Sequence, residues 1–224
     1  MIHVIPHGPG FLPEGLSLTY TPDGLSLTDG KLILTADFSD MIPRIRKNCL
    51  GAELLVKAAK IKGKEKPLVI DATAGFGSDS LLLAAAGSQV KLYEYDPVIA
   101  ALLSDALKRA ACLPELSDAI SRMELFCEDS IRSMQKLSLP PDVVYLDPMF
   151  PARTKSAMIK KKFQLLQKLE KPCTDEEELL HAAFSAHPHK IVIKRPLKGP
   201  FLAGKKPDYS LPGKAIRYDC FVLA

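Results

Sequence analysis

From Pro67 onward the chain repeats one unit: a short apolar run, a turn, an amphipathic run, then a new apolar run. "PLVIDATAG" leads into "SDSLLLAAAG" and "QVKLYEYD" into "PVIAALLSDALKRAA"; "RMELFCED", "PDVVYLDP" and "KIVIKRP" continue the series. Short apolar runs bounded by turn residues and separated by helical periodicity are strands of a parallel sheet joined by helices. Such crossovers are right-handed and cover both sheet faces, so the pattern restricts the chain to a doubly wound, mostly parallel α/β fold. Gly87 closes the first helix, and Pro97 opens the second where its missing N–H costs nothing. "KSAMIKKKFQLLQKL" and "DEEELLHAAFSAH" read as further helices and "AIRYDCFVL" as a last strand. Leu197 to Gly213, rich in Pro, Gly and Lys, reads as a long surface loop.

Residues 1–65 follow a different grammar. "LSLTYTPDGLSLTDGKLILTADF" alternates apolar and polar residues, interrupted by Pro22-Asp23-Gly24 and Asp29-Gly30. Period-two alternation broken by D-G pairs specifies a small antiparallel meander. "DMIPRIRKN" then reads as a basic loop. "CLGAELLVKAAKIKG" reads as a helix with Leu50, Leu54, Leu55 and Ala58 on one face and Gly63 as its stop. The expected organisation is an extension over 1–65 and a main domain over 66–224.

The formal charge of +4 does not by itself imply a nucleic-acid partner. Its distribution says more. Lys155, Lys160, Lys161 and Lys162 follow "YLDPMFP", Lys194 and Arg195 end a strand, and the acids gather elsewhere, as in Asp175-Glu176-Glu177-Glu178. Taken alone, that pattern describes a solvated helix face. The five cysteines are scattered and form no C-x-x-C pair, which points to free thiols in a reducing compartment. His187-Pro188-His189 has no neighbouring acid or cysteine to complete a ligand set, so no metal is expected. Neither a signal segment nor a bilayer-length apolar stretch is visible, and the expectation is a cytoplasmic protein without a membrane partner.

In an open parallel sheet, ligands bind beyond the carboxyl ends of the strands. The first such end is "DATAGFGSD", where Gly75 and Gly77 allow close backbone approach before a helix begins. The second ends in Glu94-Tyr95-Asp96, placing a carboxylate where a ribose diol is held. The third ends in Glu128-Asp129-Ser130, which suits a helix cap, a contact to an adenine amine, or both. The fourth ends in Asp147-Pro148-Met149-Phe150-Pro151. A carboxylate and a stiffened carbonyl, those of Asp147 and Pro148, can accept both N–H bonds of an amine attached to a base. Its lone pair is then directed at a methyl group. Phe150 can stack on the base, a contact worth roughly 1–3 kcal/mol. Hydride transfer fits poorly, because Ser80 stands where a dinucleotide fingerprint needs its third glycine.

In their order, "DATAGFGSD", "YEYDP", "EDS" and "YLDPMFP" resemble the motifs of class I S-adenosylmethionine-dependent methyltransferases. Asp147-Pro148-Met149-Phe150 looks like the amino-methylating (Asn/Asp)-Pro-Pro-(Phe/Tyr) motif with Met149 replacing the second proline. "VVYLDPMFPARTKSAMIKKK", "VIKRP" and "RYDCFV" further resemble the ribosomal RNA small subunit methyltransferase J family, whose members methylate N2 of a guanosine near the 3′ end of 16S ribosomal RNA. The resemblance implies S-adenosylmethionine as cofactor and a seven-stranded sheet, of which only one strand is visible after "KIVIKRP". It implies cofactor contacts at Ser78, Asp79, Glu94, Tyr95, Asp129, Ser130 and Asp147, which join Asp71, Gly75 and Gly77 of the glycine turn as the expected cofactor site. At Ser78 and Tyr95 the family often has arginine. The catalytic loop would be Asp147, Pro148 and Phe150. The phosphate contacts would be Arg44, Arg46, Lys47, Lys155, Lys160, Lys161, Lys162, Lys194 and Arg195, with 16S RNA or the small subunit as partner. Methylation of another amine (adenine N6 or a protein side chain) and a catalytically dead RNA-binding module remain the alternatives.

Overall fold

The computed structural model describes residues 12–148, 165, 169 and 175–223. The meander forms as its alternation requires: β1 (Ser17–Thr21), β2 (Gly24–Thr28) and β3 (Ile33–Thr35) make an antiparallel sheet in sequence order. The second turn is held by Asp29, whose Oδ1 accepts the N–H groups of Lys31 and Leu32 at 3.1 and 2.9 Å.

The segment expected to be a basic loop is helical instead. α1 (Ile42–Ile45) and α2 (Lys47–Leu50) are two short turns, with Arg46 extended between them at ψ 141°. Pro43 lies in the first turn of α1, where proline is tolerated. The single helix expected over "CLGAELLVKAAKIKG" is also broken, at Gly51 and Ala52, and resumes as α3 (Leu54–Ala59). Glycine is a poor helix former, and four well-spaced apolar residues do not outweigh it here. Leu55 and Ala58 are buried, while Leu50 and Leu54 are half-buried.

The main sheet consists of β4 (Leu68–Asp71), β5 (Gln89–Tyr93), β6 (Met123–Phe126), β7 (Val143–Leu146), β8 (Lys190–Pro196), β9 (Tyr209–Pro212) and β10 (Ile216–Val222). Its order is β6-β5-β4-β7-β8-β10-β9. The first five strands are parallel, and β10 runs antiparallel to both β8 and β9. The loop reading of Leu197 to Gly213 is therefore corrected, since it contains β9. Its four residues are too few to show a period, and Pro212 suits only an edge strand.

The helices are α4 (Ser78–Ala85), α5 (Pro97–Ala111), α6 (Pro114–Ile120), α7 (Ser130–Met134) and α8 (Glu176–Ser185). α6, opened by Pro114, was not anticipated from the sequence. The helix expected over "KSAMIKKKFQLLQKL" lies outside the described residues except for Leu165, which is helical and buried, and Leu169, also helical.

Apolar side chains fill both faces of the sheet. One core joins Leu81, Leu92 and Leu103 to the extension through Leu27, Leu34 and Phe38. The other packs Ile70, Val144 and Ile191 against Leu180 and Met134. Polar latches fix the extension to α5: Asp105 Oδ2 accepts the N–H of Leu25 at 3.0 Å, and Arg109, itself held by Asp105, donates to the carbonyl oxygen of Ala36. Among the described residues, no helix is long and apolar enough to cross a membrane.

Candidate active site

The carboxyl ends of β4, β5, β6 and β7 meet at one edge of the sheet. β4 runs into the glycine turn, where Gly75 and Gly77 have φ values of +53° and +72°. A side chain at Gly77 would press on Leu103 at 3.0 Å, whereas one at Gly75 would meet none of the described residues within 4 Å. The space over Gly75 is therefore open to a ligand. Asp71, at the root of the turn, is 1% exposed. It accepts the Ser80 hydroxyl at 2.6 Å and the Thr73 N–H at 3.1 Å. Burial pushes its carboxyl up to about 7, against the opposing pull of those two donors. Asp71 thus shapes the turn from inside and does not reach into the open space.

Glu94 ties β5 to this turn: Oε2 accepts Gly75 N–H and Oε1 accepts Asp96 N–H, both at 2.8 Å. Asp129 caps α7 through Ile131 N–H at 3.0 Å and lies 3.4 Å from Arg132. Ser130 is buried, while Ser78 and Tyr95 are exposed. A groove of about 550 Å³ opens beside these ends, lined by Tyr93, Tyr95, Phe126, Cys127 and Asp129 among others. Tyr93 and Phe126 stack in it at 5.0 Å. Open space over a glycine turn, a carboxylate beside it and an aromatic-walled groove fit an adenosine-bearing cofactor with a cationic centre.

The acceptor side is built differently. The main-chain N–H of Asp147 donates to Thr73 Oγ1 at 2.6 Å, which fastens the end of β7 to the end of β4. Lys194 Nζ, on the neighbouring β8, donates to Asp147 Oδ2 at 2.8 Å and to Asp79 Oδ2 at 2.7 Å. Tyr145 Oη donates to the same Asp79 oxygen at 2.6 Å. Burial pushes the Asp147 carboxyl up, and the Lys194 charge only partly pulls it back. For Lys194, burial works against the charged form, yet Asp79 and Asp147 together hold the ammonium above the usual lysine range. Both shifts are compatible: each partner is desolvated, and Lys194 has two anions to answer it where Asp147 has one close cation. Pro148 is buried, and Phe150 lies outside the described residues.

The expected phosphate contacts divide. Arg44 on α1, Arg46 between the two helices and Lys47 on α2 are exposed, Arg44 in a two-point pair with Glu53 at 2.8 and 2.7 Å. Lys155, Lys160, Lys161 and Lys162 lie outside the described residues. Two expectations need correction. Lys194 does not stand outward but pairs with two acids inside the site. Arg195 is only 1% exposed and donates to Pro200 O and Glu176, because adjacent strand residues face opposite sides and its side meets α8. Sequence reasoning also missed Thr73, Tyr145 and Tyr218. Strand alternation gave a signal for one of them: Tyr145, two residues before Asp147, shares its side of the sheet.

Fold and site together define an S-adenosylmethionine-dependent methyltransferase, and the family described as "Putative SAM-dependent methyltransferase" matches residues 13–223. Ribosomal RNA small subunit methyltransferase J of Thioalkalivibrio sulfidiphilus is 43% identical over 176 residues, covering 77% of this chain and 69% of the relative. The protein of that name from Pseudomonas savastanoi pv. phaseolicola is 38% identical over 212 residues, 92% of this chain and 79% of its own. A crystallised SAM-dependent methyltransferase of Neisseria gonorrhoeae superposes with a TM-score of 0.75 at 35% identity, covering 94% of this chain and 84% of the other. The chain belongs to the ribosomal RNA small subunit methyltransferase J family.

Proposed function

We propose that this protein methylates the exocyclic N2 of a guanosine near the 3′ end of 16S ribosomal RNA, in the cytoplasm, on the RNA or the small subunit. The names of its relatives support the RNA substrate. The amine chemistry rests on one observation, the Asp147 carboxylate beside Pro148 at the end of β7, anchored by Thr73 and facing Lys194.

When bound, S-adenosylmethionine would supply a methyl group on cationic sulfur; as the amine lone pair takes the carbon, the electron pair of the broken bond would stay on sulfur and the nitrogen's extra proton would pass to water. The Glu94 carboxylate and the open space over Gly75 hold the adenosine end. Asp147 and the Pro148 carbonyl accept the two amine N–H bonds and aim its lone pair. Catalysis is then positioning and fixed electrostatics, with no covalent enzyme intermediate. A base in a loop leaves its stack more cheaply than one in a duplex, which favours an exposed RNA segment.

The test is transfer of labelled methyl to 16S RNA and small subunits by wild type and Asp147→Ala, with the modified base mapped. N2-methylguanosine made by wild type, and lost in a folded variant that still binds S-adenosylmethionine, is the expected result. Transfer to adenine N6 or to protein redirects the substrate, and cofactor binding without any transfer to RNA overturns the assignment.

A further inference from the structure

Lys194 bridges the two halves of the site. Its ammonium lies between Asp79, on the first turn of α4 in the cofactor half, and Asp147, on the acceptor half, at 2.7 and 2.8 Å. We propose that Lys194 is a positioning residue for the acceptor amine: it occupies Asp147 Oδ2, keeps that carboxylate ionised, and leaves Oδ1 to accept an amine N–H. The inference rests on the function proposed above.

A purely structural tie is the competing account, and three features argue against it. First, the loops are already fastened without Lys194. Thr73 Oγ1 holds the Asp147 main chain, and Tyr145 Oη holds Asp79. Second, all three side chains keep part of their surface exposed, and partly exposed ion pairs add little stability. A charge here is therefore better explained by control of ionisation. Third, among the described residues nothing else donates to Asp147 Oδ2 and nothing donates to Oδ1. One oxygen is engaged and its twin is left for substrate.

The groups facing Asp147 make the control necessary. Asp79 from α4 and Asp71 from β4 are acids, and Tyr145 from β7 and Tyr218 from β10 are held above the usual tyrosine range by burial and by Asp79. Arg195, next to Lys194 on β8, helps weakly from the far side of the strand, and Arg44 on α1 faces Asp79 and Tyr218. Burial and Asp79 both push Asp147 toward its protonated form, which would present a hydrogen where an acceptor is needed. Among the described residues Lys194 is the nearest opposing charge. Two carboxylates and one ammonium also leave one net negative charge, which suits a single cationic sulfur.

The experiment compares wild type, Lys194→Met and Lys194→Arg by pH profiles of methyl transfer. It adds a ¹³C-carboxyl NMR titration of Asp147 in protein without RNA. Removing the positive charge raises the Asp147 pKa, so the acidic limb of kcat/KM moves to higher pH. The expected move is about one unit or more in Lys194→Met, with the limb nearly restored in Lys194→Arg. The carboxyl midpoint moves with it. If Lys194→Met does not fold, Lys194→Gln carries the same expectation. An active wild type whose Lys194→Met variant is slowed equally at every pH, with an unmoved midpoint, overturns the proposal in favour of a structural tie. A wild type inactive on every RNA fails the proposed function instead; an unmoved NMR midpoint then overturns control of Asp147 by Lys194 as well, and a raised one supports that control alone.

Discussion

The cofactor half and the acceptor half of this sheet edge are made of the same residue types and held together in opposite ways. On the cofactor side, carboxylates grip main-chain N–H groups nearby in sequence. Glu94 holds Asp96, Asp129 holds Ile131, and Asp71 holds Thr73; the longest of these links is Glu94 to Gly75, between consecutive strand ends. On the acceptor side, side chains grip side chains across the fold: Lys194 to Asp79 and Asp147, and Tyr145 to Asp79. A carboxylate on backbone amides sets the shape of a loop. An ammonium shared by two acids sets their charge. The first half is thus built to bind and the second to control protonation, and mutations should separate the two.

Asp147→Ala should show the largest effect. Losing the amine acceptor lowers kcat on the order of a hundredfold or more, while the Kd for S-adenosylmethionine, measured by calorimetry, stays within a few-fold. A parallel loss of cofactor affinity would erase the distinction between the halves. Glu94→Ala comes next, with the opposite signature. It removes charge-assisted hydrogen bonds worth roughly 1.5–3 kcal/mol, so cofactor Kd rises about tenfold or more while the acidic limb of the pH profile stays put.

Asp71→Asn should act on stability and only with pH. The Asp71 carboxyl ionises at an ordinary 3.8 when exposed and at about 7 in the fold. Its contribution is therefore complete below about pH 4 and declines as the pH rises toward about 7. Across that window wild type should lose melting temperature relative to Asp71→Asn by at least about 2 °C. Parallel melting curves would mean that Ser80 and Thr73 keep Asp71 ionised. The smallest effect is expected at Arg44→Ala. The exposed pair with Glu53 contributes under about 1 kcal/mol to stability. If Arg44 meets a phosphate, the salt slope of RNA binding falls by about one with no change in kcat.

The same contrast explains what the sequence revealed. Links of a few residues leave a local signature, so the glycine turn, the Glu94 strand end and the cap at Asp129 were visible as spacing. The parallel sheet was visible because strand and helix periods alternate cleanly from Pro67 to Leu146. The Lys194 bridge was not, since it spans 115 residues to Asp79 and 47 to Asp147. Among other lysines, it resembled a phosphate contact. β9 was hidden because Tyr-Ser-Leu-Pro is too short for alternation and sits within a Pro-, Gly- and Lys-rich stretch. The break at Gly51 was hidden because apolar spacing continued across it.

The position of β10 has a consequence for the order in which the protein is made. It pairs Tyr218 with Lys194 in antiparallel register, between β8 and the edge strand β9, yet it is translated after every other strand of the sheet. A nascent chain carrying all five parallel strands already has its glycine turn and Asp147, but β8 is still a raw edge with unpaired main-chain groups, open to pairing with another chain. The strand that covers the open edge beside Lys194 is therefore the last one the ribosome delivers.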